Sequence, residues 1–232
     1  MSKDGCLYFK AVIFDLDGTL LDSLEDIAES MNAVLKECGF PEHDPETYRD
    51  FIGEGIEQLV RQALPKSNRT DSMIERCVVA MRNEYEKRWT FTTRPYKGVL
   101  ELIDELSTQG VRMAILSNKP DRFTKVITAV LLPSGRFDLV LGAKPDVPKK
   151  PDPLAALNIA ALFNIQPQSV IFVGDSGIDM ETAVSAGMYP VGVLWGFRPE
   201  DELIAGGAKA LLDHPLELLR FFKVDIYSGG EK

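Results

Sequence analysis

Ala11-Val12-Ile13-Phe14-Asp15-Leu16-Asp17-Gly18-Thr19 reads as a short buried strand that runs into two carboxylates and a glycine turn. Ionised acids beside a core are costly, so a pair of them at a strand's C-terminal end calls for a cation or a catalytic purpose. In open parallel sheets that edge is also where ligands bind. Taken alone, the same residues suit an ordinary Asp-Gly turn with a capping aspartate.

Four further apolar runs have the character of strands buried on both faces: Val111 to Leu116, Phe137 to Leu141, Val170 to Val173, and Val191 to Leu194. Helical patterns separate most of them, as in Val99-Leu102-Ile103-Leu106, Phe123-Val126-Ile127-Val130 and Leu154-Leu157-Ala161-Leu162. Strand alternating with helix predicts an α/β fold with a doubly wound parallel sheet of Rossmann type. The stretch from Asp22 to about Arg94 breaks the rhythm and reads as helices only. Asp22 and Glu25 have capping-box spacing before Ile27, Met31, Val34 and Leu35, with Gly39 and Pro41 as the stop. Ile56, Leu59, Val60 and Ala63 mark a second helix, closed by Pro65; Met73, Cys77, Ala80, Met81 and Tyr85 mark a third. The expected division is a core of residues 1–21 and 94–232 and an inserted helical domain of residues 22–93, hinged near Leu21-Asp22 and Arg94-Pro95. A mobile tail is expected at Ser228-Gly229-Gly230.

The chain has 232 residues, 45% hydrophobic and 26% charged, enough for a sizeable core. Its formal charge of -9 argues against nucleic-acid binding, so an anionic substrate must be caught by local positive charge. Three scattered cysteines, Cys6, Cys38 and Cys77, and two histidines, His43 and His214, lack zinc-ligand spacing and suit a reducing compartment. With no leader or apolar span evident, a soluble cytoplasmic protein is expected, monomer or homodimer, with no membrane partner.

Three more strand ends carry polar groups. Leu116-Ser117-Asn118-Lys119-Pro120 offers a hydroxyl and an amide before a helix, which is an anion cradle or a plain helix start. Lys149-Lys150-Pro151-Asp152-Pro153 holds an ammonium between prolines, or is a solvated basic turn; Lys144-Pro145-Asp146 has a similar look. Gly174-Asp175-Ser176-Gly177-Ile178-Asp179 repeats the opening logic, or simply caps a helix. A parallel sheet gathers such ends on one edge, and their joint occurrence favours phosphoryl chemistry. Unit charges about 4 Å apart repel by roughly 4 kcal/mol at an effective dielectric near 20, so Asp15, Asp17, Asp175 and Asp179 together need a divalent ion. All-oxygen ligation with several waters suits Mg²⁺.

In this order and spacing, Asp-x-Asp-Gly-Thr, Ser-Asn, Lys-Pro-Asp-Pro and Gly-Asp-Ser-x-x-Asp resemble the four motifs of the haloacid dehalogenase superfamily, over about Phe9 to Phe222. The helical insert resembles that superfamily's C1 cap. Ser117-Asn118-Lys119-Pro120, Pro148-Lys149-Lys150-Pro151 and Trp195-Gly196-Phe197 are most similar to phosphoglycolate phosphatases, whereas Tyr96-Lys97-Gly98 departs from their commonest spelling. The resemblance implies a Mg²⁺-dependent phosphomonoester hydrolase acting on a small phosphorylated metabolite, with 2-phosphoglycolate as the first substrate to try.

It also implies roles. Asp15 would be the nucleophile that becomes an aspartyl-phosphate, and Asp17 the acid and base, with its backbone carbonyl on the metal. Ser117 and Asn118 would hold phosphoryl oxygens, and Lys150 would neutralise them and orient Asp15. Asp175 would ligate Mg²⁺, and Asp179 would hold its waters. The presence of Asp17 favours phosphoryl transfer over dehalogenation, which needs no leaving-group proton. The turn Ile52-Gly53-Glu54-Gly55 is a candidate specificity loop, with Gly53 against the substrate. Arg49 and Arg61 are either carboxylate partners or solvated helix arginines. Alternatives are a sugar phosphomutase of the β-phosphoglucomutase type, a pyrophosphatase or nucleotidase, and a catalytically retired binding protein. A phosphonoacetaldehyde hydrolase needs a cap lysine, for which Lys36, Lys66 and Lys87 offer no matching context.

Overall fold

The computed structural model describes residues 9–222; Cys6 and the tail Ser228-Gly229-Gly230 lie outside them. Strand β1 (Ala11–Phe14) is buried throughout. After the acid turn come β2 (Leu21–Asp22), α1 (Leu24–Glu37), α2 (Ile56–Ala63), α3 (Asp71–Arg88) and β3 (Arg94–Pro95). The second part of the chain alternates: α4 (Val99–Thr108), β4 (Arg112–Pro120), α5 (Asp121–Leu131), β5 (Leu139–Ala143), α6 (Leu154–Phe163), β6 (Val170–Gly174), α7 (Gly177–Ser185), β7 (Tyr189–Val193), α8 (Glu200–Ala205) and β8 (Ala210–Leu212). No helix among the described residues is long and apolar enough to cross a membrane.

The main sheet is parallel with strand order β5-β4-β1-β6-β7-β8. Alternate residues feed two cores. Val12, Phe14, Ile115 and Val173 face α4 and α5 through Leu102, Ile103, Phe123 and Ile127. Ala11, Ile13, Ala114 and Phe172 face α6 and α7 through Ile159, Phe163 and Ala183. Strands covered on both sides read as unbroken apolar runs, which is why periodicity found them. From β1 the chain first winds outward through β4 and β5, then crosses back to β6 on the other side. That reversal makes the C-terminal end of β1 the switch point where a parallel sheet opens a crevice.

The expected α/β doubly wound fold is present, with several local differences. Strand β8 is only three residues long, and it carries no signal that separates it from a loop. Strand β4 extends past Leu116 to Pro120, with its register against β5 shifting between those residues, so Ser117, Asn118 and Lys119 fall in an irregular stretch. The helical block leaves through β2 and returns through β3, an antiparallel pair with Asp22 opposite Arg94. Buried Asp26 secures the return by accepting from the backbone N–H groups and hydroxyls of Thr92 and Thr93. The Asp22/Glu25 capping box does not form. Asp22 belongs to β2, α1 starts at Leu24, and Ser23, the residue before it, turns its hydroxyl to Asp17 instead.

Candidate active site

The four motif segments meet at the C-terminal edge of β1, β4 and β6, around a cavity of about 70 Å³. Asp15, Asp175 and Asp179 bring carboxylate oxygens within 4.8 Å of one another, all buried. Lys150 lies among them, donating to Asp15 Oδ1 at 2.6 Å and to Asp179 Oδ1 at 2.6 Å. Asp179 Oδ2 is taken by the backbone N–H and hydroxyl of Ser176. Asp175 accepts from the Thr19 hydroxyl and the Phe197 backbone N–H. Gly18 makes this proximity possible: its φ is +83°, and a Cβ there would lie 2.2 Å from Asp175 Oδ2.

The electrostatics follow from three carboxylates against one ammonium. Burial raises Asp15 to about 7; Lys150 opposes that shift and Asp179 adds to it. Burial, then Asp15 and Asp179, push Asp175 well above the usual carboxylate range. Burial disfavours the charge on Lys150, but Asp15 and Asp179 outweigh it and hold the ammonium above the ordinary lysine range. Two negative charges are left uncompensated when all three acids ionise. A hard, all-oxygen donor set with that deficit fits a divalent cation.

Asp17 stands apart from this cluster. Its carboxylate accepts from Lys119 Nζ at 2.9 and 3.0 Å and from the Ser23 hydroxyl at 2.6 Å. Lys119 lines the cavity and is one of the residues that reading the sequence missed, although it sits inside a quoted motif. Its ammonium lies 4.5 Å from the ring centre of Tyr85, and Asp17 holds it above the ordinary lysine range despite burial. The pair is almost fully buried, so Lys119→Met should strand a charged Asp17 and lower the unfolding free energy by roughly 3 kcal/mol. A urea midpoint equal to wild type would show that Asp17 finds another partner.

Ser117 lines the cavity, its oxygen accepting from Lys119 N. Asn118 is used differently from expectation. Its amide donates to Gly53 O and Lys150 O, and its oxygen accepts from Lys150 N. Both donor positions are engaged, so the side chain pins Lys150 and the Gly53 turn in place rather than reaching a ligand. Gly53, at φ +125°, does line the cavity. Lys144 lines a neighbouring cavity, away from the acids.

The upper wall comes from the helical block: Ile27, Ile52, Ile56, Leu59, Met81 and Tyr85. Arg49 and Arg61 are not in it. Arg49 donates to Gly196 O and lies over the Phe197 ring, and Arg61 pairs with Glu57. Arg198, unnoticed in the sequence, lines the cavity and reaches from the β7–α8 loop to Asp50 O and Ile52 O. Arg49 and Arg198 thus tie the same two loops together from opposite sides. Gly196 and Phe197 of the quoted stretch belong to this seam, whereas Trp195 Nε1 donates to Thr19 O in the acid turn.

Compared with known proteins, residues 12–193 match the family described as haloacid dehalogenase-like hydrolase. A phosphoglycolate phosphatase of Nitrosospira multiformis is 38% identical over 195 residues, covering 83% of this chain and 86% of the relative. One from Aquifex aeolicus is 33% identical over 188 residues, covering 81% and 86%. Among solved structures, a haloacid dehalogenase-like family hydrolase from Streptococcus pneumoniae superposes with a TM-score of 0.83 at 26% identity, over 93% of this chain and 99% of that one.

Proposed function

Since the chain belongs to the haloacid dehalogenase-like hydrolase family, we propose that it is a Mg²⁺-dependent phosphomonoesterase working through an aspartyl-phosphate on Asp15. The observation that carries this reading is the Asp15 carboxylate at the β1 end, with one oxygen on Lys150 and a cavity in front of it. Asp15 Oδ2, the oxygen not bonded to Lys150, attacks phosphorus as the ester P–O bond breaks. Lys150 offsets the repulsion between an anionic nucleophile and an anionic ester, and the Ser117 hydroxyl donates to a phosphoryl oxygen. Asp17 gives its proton to the leaving alkoxide. As a carboxylate it then takes a proton from the water that attacks the aspartyl-phosphate, which frees inorganic phosphate and restores both acids. Lys119 and Ser23 both donate to Asp17, the pattern of its carboxylate form, and hold it in place; the acid role requires that it take up a proton once substrate is bound.

The fit of the acid cluster to a divalent cation supports Mg²⁺, held by Asp15, Asp175 and the Asp17 backbone carbonyl, with Asp179 behind them. When bound, Mg²⁺ neutralises phosphoryl charge that Lys150 alone leaves exposed.

Residues 22–93 act as a cap over a core of 1–21 and 94–232, with the apolar upper wall shielding the reaction from water. The names of the relatives point to 2-phosphoglycolate. Of the three cations lining the cavity, Lys150 serves Asp15 and Arg198 serves backbone carbonyls. Lys119 is held by Asp17, so all three are engaged within the protein, and Arg49 and Arg61 do not line the cavity. The purified protein should be assayed against 2-phosphoglycolate, pyrophosphate, and glucose 1- and 6-phosphate. Phosphate release fastest from 2-phosphoglycolate is expected. Interconversion of the glucose phosphates outpacing hydrolysis would replace this reading with a mutase.

A further inference from the structure

Cys38 and Cys77 take no part in the proposed phosphoryl chemistry, yet they meet inside the helical block. Cys38 follows the last turn of α1, and Cys77 lies mid-way along α3. Both thiols are free, with their sulfurs 3.9 Å apart, so a disulfide bond length of about 2.05 Å lies roughly 2 Å of sulfur movement away. The two differ in setting. Cys38 is half-buried and its sulfur accepts from the Arg76 guanidinium at 3.4 Å; Cys77 is fully buried.

We propose that Cys38 and Cys77 are a reversible dithiol–disulfide modification site, with Cys38 the sulfur that meets a hydroperoxide and Cys77 the one that resolves it. The chemistry balances in two steps. The Cys38 sulfur attacks one peroxide oxygen and the O–O bond breaks, giving Cys38 sulfenic acid and, from hydrogen peroxide, water. The Arg76 guanidinium lies 3.4 Å from the attacking sulfur, beside the path of the peroxide. The Cys77 sulfur then attacks Cys38, forming the S–S bond. The sulfenic hydroxyl leaves and takes up the Cys77 proton as a second water. Two thiols are oxidised and one peroxide is reduced. Burial and the neighbouring Cys38 push the Cys77 thiol up to about 11, so it remains a protonated thiol until its neighbour is activated.

The bond would join two helices of the cap, one of which carries Met81 and Tyr85 in the cavity wall. It closes a loop between positions 39 residues apart and would restrain the block that covers the site.

The full chain, with Cys6→Ala to exclude the third thiol, should be treated with a few equivalents of hydrogen peroxide and digested without reduction. A peptide pair joined through Cys38 and Cys77, 2 Da lighter than the sum of its reduced parts as loss of two hydrogens requires, is expected. Dithiothreitol should release it. Cys38→Ser should leave Cys77 unoxidised, and Cys77→Ser should let Cys38 proceed to sulfinic acid. Sulfinic acid on Cys38 without the linked peptide in the Cys6→Ala chain, or oxidation of Cys77 in the Cys38→Ser variant, would overturn the proposal. These readouts need no substrate, so they stand apart from the phosphatase assignment.

Discussion

Asp15→Asn is expected to lower kcat by roughly 10⁴-fold or more, measured as phosphate release from the best ester. An amide oxygen cannot take up and then release a phosphoryl group as the carboxylate does, and no other acid is placed to substitute. Asp175 and Asp179 each have both carboxylate oxygens engaged by protein donors. Asp17 is occupied by Lys119 and Ser23.

The same substitution separates chemistry from folding, because the sign of the Asp15 shift is unusual. Its folded value, about 7, lies above its ordinary 3.8. Such a group contributes stability that is fully present below pH 3.8 and is lost as pH rises through 7. At pH 8 the metal-free wild type therefore gains nothing from Asp15, and Asp15→Asn should melt no lower there. The variant should also lose part of the wild type's fall in stability between pH 4 and pH 8. Full turnover in Asp15→Asn would end the nucleophile assignment; a large drop in melting temperature at pH 8 would show that the charge supports the fold.

Removal of divalent metal is expected to cost at least about 10³-fold in turnover, restored by Mg²⁺ and not by Ca²⁺, whose larger and looser coordination should make it an inhibitor. Hydrolysis that survives exhaustive chelation would contradict the role given to the acid cluster. A second readout does not depend on activity. Burial and mutual repulsion raise Asp15 and Asp175, so a metal must displace protons that both acids hold at low pH. Apparent Mg²⁺ affinity should weaken by about tenfold per pH unit below pH 7 for the Asp15 proton alone, and more steeply wherever Asp175 is protonated as well. Titration calorimetry in two buffers of different ionisation enthalpy would count the protons released. A pH-independent affinity would place the metal elsewhere.

The strands, their helical partners and the edge where the motifs gather were legible because each depends on local pattern. Ala11–Phe14 and Val170–Gly174 are buried on both faces, and nothing but an apolar run survives there. The acids and Lys150 stood out because charge beside such runs is costly. What stayed hidden were partnerships. Lys119 stood inside a quoted segment with no role of its own, and Arg198 drew no reading at all. Asn118 was recognisable as a site residue, but not as the pin between Lys150 and Gly53. Likewise Ser23 gave up its capping position for Asp17, a choice that no local spacing encodes.

Side-chain type and order along the chain therefore determined the parallel sheet, the helical block and the edge where acids would gather, because burial periodicity and the cost of desolvating charge act within a few residues; that Asp17 would leave the other three for Lys119 was not among them. Tertiary structure alone decided which donor each acid received. Asp17 and Lys119 are 102 residues apart, and Arg198 reaches back 146 residues to Ile52. A hydrogen bond has to close to about 3 Å, and across such separations only the packed sheet and the seam between insert and core set that distance.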